Sequence, residues 1–153
     1  MSGLELLEKY PLTAKIVRDW FMKSMLESFK DESVPEEFKQ FLLEQGIEND
    51  KVGKLIDVNV RVLFDVFDEN KIYIQIGVNR DSNLYFQYKI NDFLIGHFFR
   101  DLKYKTRKEA EHSAIEEAFG ILENLLTPSL VEEIEVIDDE TLTSKEETDE
   151  KNN

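Results

Sequence analysis

Cysteine is absent from this chain of 153 residues, which excludes a disulfide framework, a thiolate zinc site and a cysteine nucleophile. Its absence suits a reducing compartment. Histidine occurs only at His97 and His112, and neither has a partner at metal-ligand spacing, so a transition-metal site has no ligand set. The six glycines are scattered singly, leaving no phosphate-cradling loop. The serines Ser24, Ser28, Ser33, Ser82 and Ser113 stand in no glycine-flanked elbow of the hydrolase type. No stretch approaches the ~20 apolar residues that cross a bilayer. The first ten residues alternate Leu4, Leu6 and Leu7 with Glu5 and Glu8, without the basic leader or apolar run of a signal peptide. The expectation is a cytoplasmic protein with no membrane partner, no metal and no cofactor.

What is present is acid, unevenly placed. Of a formal charge of −14, residues 132–153 carry ten acidic residues and two lysines, a net of −8. That stretch has few large apolar side chains beyond Ile134, Val136, Ile137 and Leu142, and cannot offset its own ordering entropy. An acidic, disordered tail over residues 129–153 is expected. A block of like charge keeps a protein soluble, docks on a basic partner or imitates nucleic acid. The remainder, with 41% apolar residues and 17 aromatics in the whole chain, suffices for one core and not for two. Residues 1–128 are read as a single domain.

The plainest local signal is Thr106-Arg107-Lys108-Glu109-Ala110-Glu111, followed by Ala114, Ile115, Ala118, Phe119, Leu122, Leu125 and Leu126 before Pro128. Thr106 caps the first free amides while Glu109 reaches back, and the apolar residues then recur at helical steps. Upstream, Leu4 to Glu8 reads as a short helical turn. Ile16, Val17, Trp20, Phe21, Met25 and Phe29 mark an amphipathic helix between Leu12 and Lys30. Ser33 and Glu36 form a second capping box around Pro35, opening a helix through Phe38, Phe41 and Leu42 that stops at Gly46. Asn49 and Asp50 are candidate caps for a further segment with Val52, Leu55 and Ile56.

Val58 to Phe67 fits both periods, and its β-branched residues favour a strand. Asp68-Glu69-Asn70 then reads as a tight connection into Ile72, Ile74 and Ile76, with Asn79 to Asn83 as the next turn. Leu84, Phe86 and Tyr88 to Ile90 follow, and Phe93 to Phe99 is a fourth strand or an irregular connection. The expected class is α+β: N-terminal helices, a three- to four-stranded antiparallel β-meander, and a long C-terminal amphipathic helix packed on one face.

Arg100, Lys103, Lys105, Arg107 and Lys108 surround the start of the last helix, where unpaired amides already favour an anion. Arg107 can instead pair with Glu111 one turn on. The meander running into Lys105-Thr106-Arg107-Lys108-Glu109-Ala110-Glu111 and Ala114 to Ala118 resembles the second half of a double-stranded-RNA-binding domain. That resemblance implies phosphate contacts through Arg107 and Lys108. The family's glycine-proline-x-histidine loop is replaced by Asp68-Glu69-Asn70. More broadly, Tyr10-Pro11, Val17-Arg18-Asp19-Trp20-Phe21, Phe64 to Asn70 and the Arg107-to-Glu111 helix start are similar to small proteins encoded by bacteriophages and prophages of gut bacteria. This implies a mobile-element origin and a host or phage protein as partner.

Two further constellations deserve names. Asp65, Asp68 and Glu69 beside Lys71, downstream of Asp57, have the residue types of a magnesium-dependent nuclease, but acidic residues and asparagine are also what turns contain. Tyr73, Tyr85 and Tyr88 lie in alternating strands that must turn some of them outward, as a partner-binding face. The reading is a non-enzymatic accessory protein that binds a host or viral macromolecule. The alternative is a nucleic-acid binder using the basic cluster, and a metal-dependent nuclease comes third.

Overall fold

The computed structural model describes residues 1–30, 34–79, 84–92, 96–99 and 103–128. The acidic tail and Arg100 lie outside them. Helix α1 (Gly3–Lys9) opens with a capping box in which Ser2 and Glu5 satisfy each other's backbone amides. Helix α2 (Pro11–Ser28) begins at a proline, whose missing N–H is harmless in a first turn. It has no cap of its own; the Glu123 carboxylate accepts from the Leu12 and Thr13 amides at 3.2 and 2.8 Å.

Helix α3 (Glu36–Gln45) starts after Pro35 without a side-chain cap and ends at Gly46, whose φ of 68° closes it. Pro35, and not Ser33, precedes its first turn, and Ser33 lies outside the described residues. Helix α4 (Asn49–Val58) follows Glu48. Asn49, expected as a cap, instead accepts a hydrogen bond from the Arg18 guanidinium across to α2. Helices α1 and α4 meet backbone to backbone through Gly3 and Gly53: a Cβ on Gly3 would stand 2.3 Å from the Gly53 carbonyl oxygen.

The strand favoured over Val58 to Phe67 is a correction. Val58 closes α4 and is 87% exposed, and helix α5 spans Val62–Glu69. Leu63, Val66 and Phe67 are fully buried at helical spacing, so packing of one helical stripe overrides β-branched propensity. Asp68-Glu69-Asn70 accordingly ends a helix and does not join two strands. Lys71, at φ 64°, turns the chain into the sheet.

Strand β1 (Ile72–Asn79) pairs antiparallel with β2 (Tyr85–Asp92) from Ile72↔Asp92 to Asn79↔Tyr85. The short β3 (Gly96–Phe99) runs antiparallel to β2, giving the order β1-β2-β3. The connection between β1 and β2, residues 80–83, lies outside the described residues. Alternation sends Ile72, Ile74, Ile76, Tyr88 and Ile90 to the core. A backbone bridge between Phe86 and Tyr104 fastens the approach to the last helix.

Helix α6 (Arg107–Leu126) lies on β1 and β2 and also touches α2 and α5. Its capping box is the expected one: Thr106 Oγ1 accepts from the Glu109 amide, and Glu109 accepts from the Thr106 amide, each at 3.2 Å. Ala110, Ala114 and Ala118 bring the helix close to its neighbours, and Phe119 fills the centre. The Phe119 ring stands 5.5 Å from Phe67 and 5.9 Å from Tyr10, joining α6 to α5 and to the junction of α1 and α2. The α+β class and the long C-terminal helix therefore follow the pattern of apolar residues.

Candidate functional site

The basic cluster is only partly available. Arg107 Nε lies 2.8 Å from Glu111 Oε1, which also accepts from Arg61 Nε at 2.9 Å. Glu111 is buried, so the two arginines neutralise a carboxylate that ties the start of α5 to α6. The N-terminus of α6 already holds an anion of its own, because the Glu109 carboxylate accepts from the Lys105 and Thr106 amides. Lys105 and Lys108 are exposed, and the Lys103 ammonium sits 4.8 Å from the centre of the Tyr85 ring.

The three tyrosines separate. Tyr73 is 39% exposed and Tyr85 half-buried, both on the sheet face turned away from the core. Tyr88 is a correction: it points inward, is buried beneath α6, and its hydroxyl donates to Glu117. Burial, then Glu117, pushes its pKa well above the ordinary tyrosine value, so the hydroxyl keeps its proton and acts as a donor.

The acidic group that suggested a nuclease lies on α5. Glu69 accepts from the Trp20 indole N–H at 3.0 Å. Burial, followed by the neighbouring Asp65 carboxylate, raises the pKa of Asp68. Among the described residues no three histidine, aspartate or glutamate side chains gather as metal ligands. His112 Nδ1 is engaged with the Lys108 carbonyl, one helical turn back.

The surface that stands out is helix α3, whose apolar residues the sequence placed on a helix without saying what covers them. None of the ten residues of α3 is buried. Phe38, Phe41 and Leu43 are 47, 55 and 59% exposed, and Phe38 makes a ring contact with Phe29. Beside α3, a groove of about 580 Å³ runs between α2 and the turn at Gly46–Ile47. Its apolar lining comes from Met22, Leu26, Leu43 and Ile47, and its charged lining includes Arg18, Lys23, Glu27 and Lys30. An isolated ten-residue helix is marginal in water, so α3 holds its shape by leaning on α2 while leaving its phenylalanines outside. Helical spacing alone could not reveal this, since it says that Phe38, Phe41 and Leu42 share a face but not what covers it.

No protein-family model, no curated protein and no solved structure matches the chain. No helix among the described residues is long and apolar enough to cross a membrane.

Proposed function

We propose that this is a non-enzymatic interaction protein, of the phage-encoded kind it resembles, that binds a host or viral protein through α3 and the adjoining groove. The carrying observation is the exposure of Phe38, Phe41 and Leu43 on one short helix beside an apolar cleft with charged lining. Of the three, Leu43 lines the groove, and exposed aromatic and aliphatic side chains next to an apolar cleft with charge beside it are the usual anatomy of a protein contact. Burying what remains exposed of each of the three side chains contributes on the order of 1 kcal/mol.

Affinity capture from bacterial extract, with the full chain and a Phe41→Ser, Leu43→Ser variant compared side by side, tests the reading. Both positions are exposed, so the variant should melt with the parent. A protein retained by the parent and lost by the variant is the expected result. An identical protein set on both overturns it.

Nucleic-acid binding is the second reading, favoured by the exposed Lys105 and Lys108 beside Lys103. Phosphate contacts make affinity fall steeply with salt and with Lys105→Ala plus Lys108→Ala. Capture that is lost after nuclease treatment and at raised salt would favour this reading over the first.

A further inference from the structure

Strand β1 is the outer strand of the sheet, and among the described residues β2 is its one neighbour. Its far side therefore presents a row of backbone amides and carbonyls that no described strand pairs with. Natural sheets usually blunt such an edge with charge, proline or a bulge. β1 has none of these. Ile72 to Asn79 include no charged residue and no proline, in a chain that is 34% charged, and they pair with β2 residue for residue without a bulge.

Along the inward face of β1 burial fades: Ile72 is fully buried, Ile74 and Ile76 are half-buried, and Val78 is 47% exposed. The outward face carries Tyr73, Gln75 and Gly77, all exposed. A glycine inside a strand weakens it and commonly marks a bulge, a bend or the close approach of another chain. Register runs unbroken through Gly77↔Gln87, the glycine has no positive φ, and an added Cβ would meet nothing within 4 Å among the described residues. The remaining reason is an approach from outside.

We propose that β1 pairs antiparallel with β1 of a second copy of this chain, about a twofold axis at Gln75, joining the two sheets edge to edge. Residues directly opposite across antiparallel strands share a face. This register sets Tyr73 opposite Gly77 of the second copy, Ile74 opposite Ile76, and Ile72 opposite Val78. Each Tyr73 ring then covers the bare backbone at Gly77, as aromatic residues do for glycines on sheet edges. The buried end of each apolar stripe meets the exposed end of the other. Charge selects the occupant: a formal −14 on each chain opposes association, and β1 paired with itself sets no charged residue opposite another. A twofold contact needs a patch that complements itself, which this register provides. It shares no residue with α3 or the groove beside it, so it stands apart from the reading of that face.

Sedimentation equilibrium of the full chain, from about 10 μM to about 1 mM, tests the contact, and the mass should rise toward twice that of one chain, as a small interface requires. Gln75 is exposed and meets its own copy on the axis, so Gln75→Lys and Gln75→Glu should each abolish the dimer. An equimolar mixture of the two should restore it, which also shows that both variants fold. Tyr73→Ala removes two ring contacts per dimer and should weaken it roughly tenfold. Because the chain has no cysteine, Gln75→Cys should cross-link to its own copy under mild oxidation, whereas Gly77→Cys should not, its two copies lying roughly 14 Å apart in this register. A mass that stays at one chain throughout, whether β1 is left bare or taken by residues 129–153, overturns the proposal. So does a dimer that survives both charged variants, one lost with Phe41→Ser plus Leu43→Ser, which places the contact on α3, or cross-linking by Gly77→Cys and not by Gln75→Cys.

Discussion

At the N-terminus of α2, Pro11 supplies the right φ but no acceptor, and Tyr10 offers no side-chain cap, so the free amides of Leu12 and Thr13 turn to Glu123 on α6. The carboxylate also sits at the positive end of the α2 dipole. Glu123→Ala should therefore lower stability by about 1–2 kcal/mol in urea unfolding, the range of a lost cap, and Glu123→Gln by less. An alanine variant as stable as the parent would remove the cap from the account. Asp68 acts in the opposite direction. Burial and Asp65 raise its folded pKa above the ordinary 3.8, so its charged form destabilises the fold. That penalty is absent below the ordinary value, grows as pH rises and is complete above the raised value. Asp68→Asn should be more stable than the parent at about pH 7, with the gap closing by about pH 3.5. A pH-independent gap in melting temperature would contradict this.

At the scale of elements, two helical glycines predict opposite outcomes for the same substitution. Gly53→Ala would place its Cβ 2.7 Å from the Leu4 backbone nitrogen, and backbone cannot give way as a flexible side chain can. The α1–α4 crossing must open, at about 1–3 kcal/mol, which outweighs the helix-propensity gain. At Gly120, in the middle of α6, an added Cβ would meet nothing nearer than the Tyr10 hydroxyl at 3.7 Å, an ordinary contact, so there the propensity gain stands. Thermal unfolding should show Gly53→Ala below the parent and Gly120→Ala above it; the reverse order would contradict the packing described for both. Elements were legible where local chemistry and burial agree. Thr106 and Glu109 announce α6 because a capping box is settled within four residues, and the alternating isoleucines announce β1 for the same local reason. Val58 to Phe67 misled because both periods are present in it, and only the burial of Leu63, Val66 and Phe67 decides between them. Asn49 looked like a cap, but its partner Arg18 lies 31 residues away and no local pattern points to it.

For the whole molecule, the interior was easier to read than the surface. Sequence periodicity marks which residues share a face, so the buried stripe of Ala114, Ala118 and Phe119 and the helix-on-sheet layer follow from it. It does not say which faces stay uncovered. Phe38 and Phe41, legible only as sharing a helix, stand outside, while Tyr88, named for an outward face, lies inside. The basic cluster was visible as charge and the Arg107–Glu111 pair as an i,i+4 spacing, but the second arginine on Glu111, Arg61, lies 50 residues away and is brought there only by the packed α5–α6 corner. The most direct test of the interaction face is amide hydrogen exchange across residues 36–45, measured in the free protein and with the captured partner bound. A helix without a buried residue should exchange quickly when free and become protected in the complex. Protection confined to residues 103–108, with α3 unchanged, would contradict the proposed face.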